Sequence, residues 1–135
     1  MNSKSKRTIL VLSFILFNVI TTQAQDSLQV ATSAQKADVI ASRMERELSL
    51  TKAQAQQVNT IALERFELLK QSNTNRTTPL TTANDQAQKK LTTVFTKEQM
   101  TLYLQLRSDT KKQKDEFLSK NPNYKFTDQE KEMDF

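Results

Sequence analysis

The chain has 135 residues, 20 Lys+Arg against 15 Asp+Glu for a formal net charge of +5, two prolines, and no glycine, histidine or cysteine. Those absences remove the imidazole and thiol groups of acid/base and nucleophilic catalysis, the glycine-rich phosphate loop and any disulfide. What remains is rich in Ala, Gln, Lys, Leu and Glu, which favour helix and leave few of the residues that punctuate sheets, so an all-α chain is expected.

Residues 1–24 read as a secretory signal peptide. Lys4, Lys6 and Arg7 precede an apolar run from Ile9 to Ile20, and Thr22-Gln23-Ala24 has small residues at the −3 and −1 places. The run is shorter than the roughly 20 residues of a comfortable membrane span, so cleavage near Ala24, export and no stable membrane anchor are expected. Without this segment 17 Lys+Arg face 15 Asp+Glu and the net charge falls to +2. Much of the basicity is then an export signal, and nucleic acid loses its main support as a partner.

About 111 residues remain, enough for one small domain, expected over residues 25–120. Between Ser33 and Leu48, the side chains of Ala37, Ile40, Ala41, Met44 and Leu48 share an arc of about 100°, the mark of an amphipathic helix. A second helix is expected from about Lys52 to Gln71, with Ala55, Val58, Ile61, Ala62, Phe66, Leu68 and Leu69 on its apolar stripe. "SNTNRTTPLTTAND" reads as a loop, because Ser, Asn and Thr compete for backbone hydrogen bonds and Pro79 has no amide proton. A short third helix follows from Ala83 to about Thr92, and a fourth from Lys97 to about Leu118. Residues 121–135 read as a mobile or partly helical tail. The modest apolar content favours a thin, elongated layer over a thick globule.

Two stretches, "LSLTKAQ" at 48–54 and "TVFTKEQ" at 93–99, repeat one pattern 45 residues apart. In the first, Thr51 stands before a helix and Gln54 three residues later, the capping-box arrangement in which each side chain takes up the other residue's backbone amide; Leu50 is placed as the hydrophobic staple. In the second, Phe95, Thr96 and Gln99 take the same roles. Phe126-Thr127-Asp128-Gln129-Glu130 offers a further box close to the chain's end. Read physically, the repeat marks two helix starts.

The doubled Leu-Thr-x-x-Gln, with a signal peptide and a four-helix pattern over about residues 33–120, resembles the Spy/CpxP family of small periplasmic proteins, also called the LTXXQ-motif family. Leu50, Thr51 and Gln54 match its motif fully; the second copy departs in having Phe95 for Leu. The resemblance implies four antiparallel helices in a cradle-like layer, a homodimer and periplasmic localisation. It also implies either ATP-independent chaperone activity towards unfolded envelope proteins or negative regulation of a membrane stress-sensor kinase. A client-free structural role in the envelope is a further reading. Relatives that bind zinc, nickel or cobalt do so through histidines, which this chain lacks.

No catalytic constellation and no cofactor is expected. Asp109, Asp115 and Glu116 stand beside Lys111, Lys112 and Lys114, a spacing that ordinarily makes a solvated ion-pair face. On the fourth helix, Leu102, Leu106 and Phe117 occupy one side, expected towards the core. Met100, Tyr103, Leu104, Arg107, Lys111 and Lys114 lie on a neighbouring strip that mixes apolar and positive groups. That strip is the candidate client-binding surface, since methionine adapts to irregular partners and cations attract acidic segments without fixed geometry; the other reading is that Met100, Tyr103 and Leu104 are the wide start of the core, with lysine stems passing its edge.

Overall fold

The computed structural model describes residues 31–71 and 79–134. The expected export signal and residues 72–78 of the expected 72–85 loop therefore lie outside the described residues. Within them the chain is all-helical: α1 Ser33–Leu48, α2 Lys52–Gln71, α3 Pro79–Val94, α4 Lys97–Lys120 and α5 Asp128–Glu132.

The α1/α2 hairpin rests on a three-residue turn that has no glycine to use. Ser49 takes the left-handed conformation at φ 52° and ψ 49°, its amide donating to the Glu45 carbonyl, and the Leu50 amide donates to the same oxygen at 3.0 Å. The two helices then run antiparallel, tied by Lys52 to Glu45 at 2.5 Å near the turn and by Asn59 to Asp38 at 2.5 Å further along. The buried side chains of α1 are Ala37, Ile40, Ala41, Met44 and Leu48; those of α2 include Ala55, Val58, Ile61, Ala62, Phe66 and Leu69.

α3 packs on the other flank of α2 through Ala83, Ala87 and Leu91. Alanine on all three helices lets their axes approach closely, while Ile40, Val58 and Leu91 are the largest side chains wholly withdrawn from water. Burying one such side chain is worth about 1.5–3 kcal/mol.

The third helix begins at Pro79, not at Ala83, and runs to Val94. A proline suits the first helical position, where an amide proton would have no partner inside the helix; Pro79 therefore opens a helix that the Thr and Asn around it had suggested was loop. α4 extends to Lys120, two residues beyond Leu118, and the Asn121 amide donates to the Phe117 carbonyl at 2.9 Å.

α4 belongs to the core only in part. Tyr103 is its one buried residue, with Met100, Leu102 and Leu106 half-buried against the core. The tail is partly helical and folds back on the helices. Thr127 and Glu130 form a capping box at the start of α5, Met133 packs against the core, and Glu132 and Asp134 pair with Lys36 and Lys114 at 2.8 Å each.

Candidate functional site

The two copies of the repeated motif meet. In each, the glutamine Oε1 accepts from the threonine amide at 3.0 Å, and the threonine Oγ1 accepts from the glutamine amide at 3.1 Å in the first copy and 3.2 Å in the second. With each oxygen turned towards its own threonine, the outer NH2 groups are free to bridge the motifs. Gln54 Nε2 donates to Gln99 Oε1 at 2.8 Å, and Gln99 Nε2 donates to Gln54 Oε1 at 3.3 Å. Gln54 Nε2 also donates to the carbonyl of Val94, the last residue of α3, at 3.0 Å. One side chain thus serves the start of α2, the end of α3 and the start of α4.

The staple residues are buried on the core side of this junction, Leu50 at 8% and Phe95 at 7% exposure. The phenylalanine of the second copy has a partner of its own: its ring meets that of Tyr103 edge-on, centroids 5.8 Å apart. Thr32 and Gln35 at the start of α1 form another capping box, whose preceding residue, Ala31, offers no large staple. The boxes opening α1 and α5 stay local; those at Thr51 and Thr96 are joined.

The strip proposed on α4 does not form one surface. Tyr103, 3% exposed, is core, because the turn at Phe95 and Thr96 brings its ring under Phe95. Met100 is half-buried on the same side. Arg107 donates to Gln88 Oε1 at 2.9 Å, and its guanidinium lies over the Tyr103 ring, so it braces α4 against α3. Lys114 pairs with Asp134 and sits over the Phe126 ring at 5.1 Å. Leu104, at 45% exposure, and Lys111, which makes an exposed 3.5 Å ion pair with Asp115, are the members that face solvent.

A second centre forms around Arg65, which is 2% exposed. Its Nε donates to Asn84 Oδ1 at 2.7 Å, a guanidinium nitrogen donates to the Glu132 carbonyl at 2.6 Å, and the group lies over the Phe66 ring at 5.1 Å. Burial pushes its pKa down to about 10, against the partly offsetting pull of Tyr103, Glu132 and Asp134. The guanidinium therefore stays charged at neutral pH. Burial likewise pushes the Tyr103 phenol up, although the Arg107, Arg65 and Arg43 guanidinia favour its ionised form. Arg65 is absent from the residues expected to matter, although a signal for it exists: it falls four residues after Ile61 and three after Ala62, inside the apolar stripe where a charge needs explaining.

A cleft between α2 and α3, lined in part by Glu64, Arg65, Gln86 and Lys90, encloses about 30 Å³, room for a water and not for a substrate. Among the described residues no group of three or more acidic side chains is arranged to hold a metal ion, and no helix is long and apolar enough to cross a membrane. Comparison with protein-family models, with curated proteins and with solved structures finds no match.

Proposed function

We propose that this chain is an exported, non-enzymatic helical protein of the Spy/CpxP type that binds exposed segments of unfolded envelope proteins without nucleotide. The observation that carries the reading is the state of α4: of its 24 residues only Tyr103 is buried, and Leu104 stands exposed on a helix that also displays Lys111. A helix so thinly covered offers apolar contact flanked by mobile charge, which suits clients of no fixed shape. The doubled motif and the signal-like residues 1–24 support the same reading, with cleavage near Ala24, a periplasmic location, and a homodimer of four-helix layers.

The test is suppression of aggregation of two unrelated, chemically unfolded proteins, with no nucleotide present. Leu104→Ser combined with Lys111→Glu is expected to lower protection several-fold at unchanged helical content. Raising salt should slow capture more than it weakens retention, because charge acts on encounter and apolar burial on escape. Full protection of both clients by the double variant would overturn the reading.

A further inference from the structure

Three helices converge on three consecutive tail residues. From α1, Lys36 Nζ holds the Glu132 carboxylate at 2.8 Å; from α2, Arg65 holds the Glu132 carbonyl at 2.6 Å; from α4, Lys114 holds the Asp134 carboxylate at 2.8 Å. Between the two acids, Met133 packs against the core. Phe66 forms an aromatic floor, with Lys36 and Arg65 over its ring at 5.6 and 5.1 Å. The arrangement is a peptide site in its elements: cations from separate helices, an apolar floor, and a donor aimed at a backbone carbonyl.

The occupant is held lightly. Its helical part, α5, has five residues, far fewer than an isolated helix needs. Its ion pairs are partly exposed, with side-chain exposures of 33% for Glu132 and 44% for Asp134, and such pairs contribute little. The short tether to Lys120 adds to these contacts an effective concentration on the order of mM.

We propose that this groove recognises acidic–apolar–acidic segments of other polypeptides, and that Glu132-Met133-Asp134 is a resident strap with which they compete. The inference rests on the proposed function and names the chemistry of the segment bound. The positive side chains of the groove match the two carboxylates, and the chain's own tail, which carries four acids against two lysines over residues 121–135, shows what fits.

The probe is a labelled, acetylated synthetic peptide of residues 122–134, titrated by fluorescence anisotropy onto the full chain and onto its Glu132→Lys, Asp134→Lys variant, with helical content checked by circular dichroism. The variant, its strap repelled from the groove, is expected to bind the probe about tenfold more tightly, the factor that a strap seated about nine-tenths of the time imposes on a competitor. Adding Lys36→Gln and Lys114→Gln should abolish that binding. Equal binding to wild type and variant, or binding that survives loss of both lysines, would overturn the proposal.

A second measurement uses the unaltered protein: saturating probe should erase hydrogen-exchange protection at the Lys131 and Met133 amides, which bond to the Thr127 and Gln129 carbonyls of the α5 turn leading into the strap, and protection that persists would also overturn it. A wild-type dimer that dissociates in the reversed-tail variant would assign the groove to a second copy's tail and refute a strap in cis. Probe binding is read without any aggregating client. Failure of the probe with intact client protection removes this inference alone, and the converse removes only the chaperone reading.

Discussion

The side-chain amides of Gln54 and Gln99 are hydrogen-bonded to each other in both directions, at 2.8 and 3.3 Å, while each also closes a capping box. The pairing explains why both copies carry glutamine. A glutamate would close a capping box equally well, as Glu130 does at α5, but it has no NH2 to give to its counterpart or to the Val94 carbonyl.

Gln54→Glu is therefore expected to lower stability by about 1–3 kcal/mol, the usual consequence of leaving partly buried acceptors unpaired. Gln35→Glu, at the unlinked box of α1, should be neutral or slightly stabilising, since a carboxylate suits a helix N-terminus. In a double-mutant cycle, Gln54→Ala and Gln99→Ala should show coupling of roughly 0.5–3 kcal/mol. Urea unfolding of the set decides it; additive losses would reduce the pair to two independent caps.

Ser49 offers a gain. Its left-handed backbone costs a non-glycine residue on the order of 1–3 kcal/mol, and its side chain is exposed. Ser49→Gly removes that strain and gives back part of it, roughly 0.5–1 kcal/mol, as extra freedom in the unfolded chain. A rise in Tm is expected, and a β-branched residue at the same place should lower it.

The departure of the second motif copy at Phe95 follows from its edge-on contact with Tyr103. Phe95→Leu should cost about 0.5–1.5 kcal/mol beyond its change in buried area, the worth of an aromatic pair. In a Tyr103→Leu background that excess should vanish. An unchanged penalty would assign the preference to shape alone.

The tail responds to acid. Burial alone pushes the Glu130 carboxyl up, but the Thr127 amide, the Tyr124 hydroxyl and the Thr127 hydroxyl bond to it and outweigh burial, so its pKa is held below the ordinary glutamate value. A carboxylate whose folded value is depressed stabilises the folded form above its unfolded value, and loses that contribution as pH falls through the folded one. Melting of the α5 turn is expected as pH falls through that lowered value, ahead of global unfolding, and the Tyr124 ring signals in NMR should report it because its hydroxyl is bonded to Glu130 at 2.9 Å. In Glu130→Gln the step should disappear.

Much of this architecture was readable because it is local. The stripes of α1 and α2 recur at helical spacing, and the boxes at Thr51 and Thr96 are closed by residues three apart. Contacts made between distant residues were not readable. Nothing near Gln54 indicates Gln99, nothing in the tail indicates Lys36, and the burial of Tyr103 follows from the turn at Phe95, which re-aims the start of α4. The opening of α3 was obscured for a different reason: proline, threonine and asparagine signal both a loop and a helix start, and local pattern does not say which.

Arg65 carries the remaining prediction. With a pKa of about 10, it keeps a buried positive charge at neutral pH, sustained by Asn84 Oδ1, the Glu132 carbonyl and the Phe66 ring. Removing an acceptor while the charge stays should be worse than removing the charge itself. Asn84→Ala is thus expected to cost about 1–3 kcal/mol, whereas Arg65→Met, which keeps an unbranched apolar stem in the same space, should leave urea stability within about 1 kcal/mol of wild type. The two should also differ with pH. Above about pH 10 the unfolded chain, whose arginine keeps its ordinary higher pKa, holds the Arg65 proton that the folded chain releases, so this residue's contribution to stability rises with pH there. Relative to Arg65→Met, the wild type should therefore gain as pH passes 10. If Arg65→Met instead proves the more destabilising of the two at neutral pH, the guanidinium is a net source of stability, and its burial needs no compensation from Asn84.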